Sequence, residues 1–209
     1  MPRVAAYDAS QHLEADETAD PYLRPAFTRG NKFRRVLWNV VHALLFRPSP
    51  RVMFAWRAWL LRCFGATVGS NPKIYPGAIV WAPWNLFCGD LVAIADGAEV
   101  YNPAPVHLGS HAILSQGAYL CGATHGYNSP SFPLLAYEMH LGAYSWICAR
   151  GAVAPGAQIG EGAILGLGSV ATRSLTPWTV YAGNPAVAVR PRVKTIGTAE
   201  RAAAEITRS

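Results

Sequence analysis

Charged side chains are scarce in this sequence: Asp, Glu, Lys and Arg supply 14% of its 209 residues, whereas hydrophobic residues supply 51%. That balance excludes an intrinsically disordered chain and leaves enough apolar material for one buried core with appendages. No C-x-x-C pair occurs, and Cys63, Cys88, Cys121 and Cys148 lie too far apart for a zinc ribbon. They read as buried thiols of a reducing compartment. The apolar run Val36–Phe46 contains Asn39 and His42 and is too short to span a bilayer. Segment Met1–Pro25 lacks an apolar h-region and carries Asp8, Glu14, Asp16, Glu17 and Asp20. It reads as a loosely ordered tail rather than a signal peptide. The net charge is +6, yet no Lys/Arg run with interleaved aromatics crosses the centre; arginines gather between Arg24 and Arg62 and near Arg190. Nucleic-acid binding is not expected, whereas an anionic lipid or a phosphorylated ligand suits this charge.

What the chain does contain is punctuation, with 19 glycines and 16 prolines spaced through apolar sequence. From Val68 an aliphatic residue opens almost every block of six: Val68, Ile74, Val80 and Leu86 come first. Ile94 and Val100 follow after a slip of two residues, and Leu108, Leu114 and Leu120 after a second slip. The series resumes at Leu141, Ile147, Val153, Ile159 and Leu165. The fifth position of most blocks is small, as at Ala78, Ala98, Ala104, Ala112, Ala118, Thr124, Ser145, Gly151, Ala157, Ala163 and Ser169. An α-helix does not repeat every six residues, and each glycine inside one would cost about 1 kcal/mol. One aliphatic and one small residue per six fit a three-sided parallel β-helix, with glycine at its corners. Val68–Val170 then forms about five coils of about eighteen residues. The segment 126–140 breaks the pattern and is expected to project from a corner, where it can wall a ligand site.

Ahead of the repeats, residues 31–46 and 51–64 read as two helices separated by Pro48-Ser49-Pro50. Two roles are open for them. Trp38, Phe54, Trp56 and Trp59 could cap the open end of the β-helix. Alternatively Arg34, Arg35, Arg47, Arg51, Arg57 and Arg62 beside apolar faces could hold the pair in the plane of a membrane. The organisation is therefore a tail at 1–25, a helical segment at 26–66, the β-helix at 67–173 and a closing segment with tail at 174–209.

The blocks resemble the hexapeptide-repeat acyltransferases. The stretch from Ile159 to Pro191, including Tyr181-Ala182-Gly183-Asn184-Pro185-Ala186, is similar to that family's C-terminal signature. Segments beginning at Asn31, Phe64, Ala82 and Leu120 resemble the branch that O-acetylates sugars in colanic-acid and other exopolysaccharide or capsule synthesis. More distantly the chain is similar to galactoside, maltose and nodulation-factor O-acetyltransferases. The resemblance implies a left-handed β-helix, an all-β domain assembled as a homotrimer, with acetyl-CoA and a sugar or lipid-linked oligosaccharide as substrates. It implies a cytoplasmic enzyme, with peripheral contact at the inner face of the membrane.

His125 stands immediately before the projecting segment, where the resemblance puts the catalytic base. An imidazole there can take the proton from a sugar hydroxyl as its oxygen attacks a thioester. Cys121 raises covalent catalysis as an alternative, although nothing in the sequence activates it. For CoA the resemblance points to Trp146, Ala149, Gly166, Leu167, Thr172, Arg173 and Arg190. The basic residue expected three positions before Arg190 is instead Val187. Asn85 and Asp90 are the acceptor-binding candidates, and Pro83 occupies a position that is asparagine in galactoside-acting relatives. Trp84, in a small-residue slot, signals a local distortion or a sugar-stacking surface. His107, His111 and His140 raise the question of a metal, but their spacing supplies no three-histidine constellation, so none is expected. Glu138 and His140 could orient His125 across the loop. Acylation of an amino sugar, serine or antibiotic, metal-dependent hydration, and a non-catalytic scaffold are the competing functions.

Overall fold

The computed structural model describes residues 27–193; the expected tail at 1–25 lies outside them. Three parallel sheets form the sides of a prism. The first side stacks Thr67–Val68, Leu86–Cys88, Val106–Leu108 and Met139–Leu141. The second stacks Lys73–Ile74, Ala93–Ile94, Ile113–Leu114, Trp146–Ile147 and Ile164–Leu165. The third stacks Ile79–Val80, Glu99–Tyr101, Tyr119–Cys121, Ala152–Val153 and Val170–Ala171. Five coils result, and a sixth is begun by Leu175 and Thr179–Gly183.

The six-residue period becomes an interior column on each side. Ile74, Ile94, Leu114, Ile147 and Leu165 stack in register and are fully buried. Each such side chain contributes about 1.5–3 kcal/mol by leaving water. The small positions Ala78, Ala98, Ala112, Ala118 and Ala163 are buried beside them. Thr124 leaves the series because the chain has departed from the prism at Gly122, whose backbone carbonyl accepts from Tyr137.

The first slip lies earlier than the block pattern suggests. Cys88, not Leu86, pairs with Val68 and Leu108, since both Leu86 and Cys88 point inward along one strand. The two extra residues sit in the 3₁₀ turn Pro83–Asn85. Trp84 is thereby lifted out of the small-residue column, and the Arg34 guanidinium lies 4.3 Å over its ring. The second slip lies at Asn102–Pro105, on the same edge. The long excursion, Gly122–Glu138, also leaves from this edge, so its limits differ from 126–140 and His140 lies back in the prism wall. All three irregularities stack on the edge joining the third side to the first. Asn85 Nδ2 donates to the Asn102 and Pro103 carbonyls, and Asn102 exchanges two hydrogen bonds with Ala82.

Glycine is not the general corner residue. On the edge between the first and second sides, left-handed backbone is adopted by Asn71, Leu91, His111, Tyr144 and Trp178, with Gly162 the exception. Side-chain stacking accompanies these unfavourable angles: His111 lies flat on Tyr144 at 4.5 Å, and Tyr144 faces Trp178 at 6.4 Å.

Strand N–H groups of each coil donate to carbonyls of the next, which leaves the first coil's carbonyls facing the N-terminal end. The helices supply donors there. Helix α1 is Arg29–Val41, continued by a π-helical turn at His42–Phe46, and helix α2 is Phe54–Cys63. Trp38 Nε1 donates to Val80, His42 Nε2 to Ala78, Arg57 Nε to Ile74 and Arg62 to Val68. Trp38, Phe46, Leu60 and Leu61 close the apolar column beneath. Helix α2 starts at Phe54 rather than Arg51: residues 50–53 form a turn in which Met53 N donates to the Pro50 carbonyl, and the Arg57 guanidinium donates to the carbonyls of Pro50 and Arg51. At the other end, Thr179–Gly183 turns back as an antiparallel hairpin with Ala186–Pro191.

Candidate active site

The excursion Gly122–Glu138 is a β-hairpin in which Ala123–His125 pairs antiparallel with Leu134–Ala136. His125 ends the outgoing strand, exposed. Its Nδ1 lies 3.0 Å from the Phe132 carbonyl oxygen. A carbonyl can only accept, so Nδ1 carries hydrogen in this contact and the neutral ring keeps a free lone pair on Nε2. The Phe132 ring stacks on the imidazole at 5.1 Å and 18°. The histidine borders a cavity of about 590 Å³ whose walls include Tyr127, Asn128, Ser129, Leu135 and Tyr137. Aromatic side chains, a hydroxyl and an amide therefore line a cavity beside a positioned imidazole.

The other candidate residues are spread over three different edges, one side of the prism and the closing hairpin. Ala149, Gly166 and Leu167 line the edge between the second and third sides, where Gly168 N donates to the Ala149 carbonyl and Leu167 is 75% exposed. Trp146 stands on the second side just before that edge and donates from Nε1 to Ser115 Oγ at 2.8 Å. Thr172 and Arg173 are exposed on the edge that carries His125, two coils further along. Arg190 projects from the closing hairpin opposite Val180. Asn85 shares the His125 edge, but its amide nitrogen is committed to backbone carbonyls. Asp90 lies on the remaining edge, where Ser70 donates to Oδ1 from N at 2.7 Å and from Oγ at 2.8 Å. These two hydrogen bonds hold its carboxyl below the usual carboxylate range. Within one chain, His125 and the Ala149–Leu167 edge are thus separated by the whole third side of the prism.

Glu138 and His140 do not orient His125. Glu138 Oε1 instead accepts from His107 Nε2 at 3.0 Å and His140 Nε2 at 2.9 Å. The two imidazoles stack at 4.5 Å and 6°, with Phe87 below, because all three occupy one register position on the first side. Both Nε2 atoms converge on the Glu138 carboxylate, and the ligand atoms of these three residues lie within 4.8 Å of one another, a grouping able to hold a metal ion that the spacing of the histidines in sequence did not anticipate. Burial, then the neighbouring His140, lowers the pKa of His107. Among the cysteines, Cys88 is buried and its thiol pushed up to about 12 by desolvation, while Cys121 and Cys148 are half-buried. Cys63 is exposed, against the expectation that all four are buried, because it ends α2 on the outer side of the cap.

No protein-family model matches the chain. Whole-chain comparison is decisive: the colanic acid biosynthesis acetyltransferase WcaF of Escherichia coli is 38% identical over 169 residues, 81% of this chain and 93% of WcaF. The chain belongs to the WcaF branch of the hexapeptide-repeat acetyltransferases. The enzyme shares its left-handed β-helix with a hexapeptide-repeat acetyltransferase of Vibrio cholerae solved with acetyl coenzyme A, at TM-score 0.71 and 18% identity, over 80% of this chain and 91% of the other. A galactoside acetyltransferase in complex with coenzyme A matches at TM-score 0.68 and 20% identity, over 79% and 85%. In this acetyltransferase, sequence reasoning missed Phe132, whose carbonyl fixes the His125 tautomer, and the cavity residues Tyr127 and Tyr137. The aromatic content of the excursion was the available signal; its hairpin register was not.

Proposed function

We propose that the enzyme transfers the acetyl group of acetyl-CoA to a sugar hydroxyl in exopolysaccharide or capsule synthesis, with His125 as general base. In this reading Nε2 takes the hydroxyl proton while the oxygen attacks the thioester carbonyl carbon. A tetrahedral oxyanion forms, the C–S bond breaks, and the thiolate of CoA recovers the proton from the imidazolium. The Phe132 carbonyl holds the ring and stabilises its transient positive charge through Nδ1–H. No covalent acyl-enzyme is required, and Cys121 is committed to donating to the Ala123 carbonyl at 3.2 Å.

The observation that carries this reading is the free Nε2 beside a cavity walled by Tyr127 and Tyr137. Tyrosine faces suit the apolar faces of a pyranose, and Asn128 and Ser129 offer partners for its hydroxyls. The colanic acid assignment of WcaF supports a polysaccharide precursor, including a lipid-linked oligosaccharide, as acceptor. Since His125 and the Ala149–Gly166–Leu167 edge lie across a full prism side, we place CoA between neighbouring copies of a homotrimer. Trp146 and Leu167 then border the pantetheine, and Thr172, Arg173 and Arg190 serve the nucleotide and its phosphates. Asn85 and Asp90 would offer acceptor contacts only through the groups that these hydrogen bonds leave over. Peripheral placement at the inner face of the membrane belongs to the same reading.

The test is to incubate the enzyme with acetyl-CoA and a panel of hydroxyl and amino sugars while following free thiol release. Hydroxyl acceptors should turn over. His125→Ala should lower kcat by about 10²–10⁴-fold with CoA affinity retained. Turnover of amines alone, or unimpaired H125A, refutes the assignment.

A further inference from the structure

Capping explains one face of α1 and leaves the opposite one unexplained. Trp38 and His42 turn toward the carbonyls of the first coil. On the other side Phe33, Val36, Leu37, Val40 and Leu44 recur at helical spacing and are 48–71% exposed. The stripe is continuous with the Trp56–Trp59 pair, whose rings stack at 5.0 Å while Trp56 Nε1 donates to the carbonyl of Leu45. Leu45 and Trp59 are about half exposed themselves. An apolar surface of this kind on a helix that is already packed on its other side needs a second apolar medium.

The charge around it identifies that medium. Residues 27–64 carry eight Arg and Lys and no Asp or Glu, so this segment alone exceeds the net charge of the whole chain. Arg34, Arg35, Arg51, Arg57 and Arg62 are engaged within the fold, on Trp84, Trp81, Asp96 and backbone carbonyls. Arg29, Lys32 and Arg47 stand exposed at the two ends of the apolar stripe. A second copy docking through this face would bring like charges together at its rim. No helix among the described residues is long and apolar enough to cross a membrane. We propose that α1 and its π-helical turn lie in the plane of an anionic phospholipid bilayer. Phe33, Leu37, Val40 and Leu44 enter the acyl boundary, and Arg29, Lys32 and Arg47 meet lipid phosphates. The prism then stands on its N-terminal end.

This deepens the peripheral placement proposed above and is tested separately from acyl transfer. The full-length enzyme should float with phosphatidylcholine vesicles containing about a quarter phosphatidylglycerol, and bind phosphatidylcholine alone about 10-fold more weakly. Raising salt should weaken the anionic-vesicle binding. The triple variant Phe33→Ser, Leu37→Ser, Leu44→Ser should lose binding by about 10-fold or more while keeping thiol release with a soluble acceptor. Arg29→Gln with Lys32→Gln and Arg47→Gln, which touches no apolar contact, should do the same for the anionic vesicles. Absence of flotation, equal binding to both vesicle types, or unimpaired binding by either variant overturns the proposal. Dissociation of an oligomer by the apolar variant also overturns it, assigning the face to a contact between copies. None of these outcomes touches His125, whose own kinetics decide the acyl-transfer reading.

Discussion

Arg57 illustrates how a single side chain can mislead a sequence reading. It stood among the arginines suited to a membrane surface, yet it is fully buried and donates to Ile74, Ser49, Pro50 and Arg51. A guanidinium has several donors in a fixed plane, which is what four acceptors from two segments require. Replacing it with Met, of similar length but without donors, takes the guanidinium donors from the Ile74 and Arg51 carbonyls, whereas Pro50 keeps Met53 N; about 3 kcal/mol should be lost. Thermal melting should fall by roughly 10 °C, and an unchanged melt would show that water reaches the vacated carbonyls. The place of His125 beside the projecting segment was legible because that segment interrupts a regular repeat. Its partner Phe132 was not, because a backbone carbonyl acts regardless of residue type.

The corners behave as elements with their own energetics. The sequence suggested glycine there for conformational reasons, but only one edge follows that rule. Gly162 and Gly168 both adopt left-handed backbone, at φ 64° and 63°. They differ in surroundings. A Cβ at Gly162 would meet the Trp178 ring at 2.6 Å, whereas at Gly168 nothing lies within 4 Å. Gly168→Ala should therefore cost about 1 kcal/mol, the backbone penalty alone. Gly162→Ala should cost at least about 1 kcal/mol more, since it also displaces Trp178 from Tyr144. Denaturant unfolding of the two variants measures the difference, and equal losses would contradict a stacking role for Trp178. The pattern of small residues could not distinguish these two glycines, because one is required by its backbone and the other also by an aromatic sixteen residues later in the chain.

At the scale of the whole molecule, a prism with separate edges has a functional consequence. In the proposed trimer each site takes His125 from one copy and the Gly166–Leu167 edge from the next. His125→Ala and a bulky edge variant, Leu167→Trp, should each be inactive as homotrimers. After unfolding and co-refolding in equal amounts, random assembly should restore about a quarter of wild-type turnover, because that fraction of sites receives two intact contributions. Activity that stays at the level of the separate variants would mean that each site is built within one chain. The helical cap was also readable only in part: both of its proposed roles had support in the sequence, and the structure assigns the capping role to one face of α1.

The residue pattern by itself determined the prism, since a side chain every six residues must be inside or outside whatever else the chain does. It also determined that the prism is interrupted near His125, while the limits of the excursion, Gly122–Glu138, came from the hairpin pairing that takes in His125 itself. Tertiary structure alone decided that Cys88 rather than Leu86 continues the column, which arginines are consumed by capping, and that Nε2 of His125 is the free nitrogen. The physical reason is common to all three. Each depends on where backbone carbonyls from distant segments point, and side-chain periodicity carries no record of that direction.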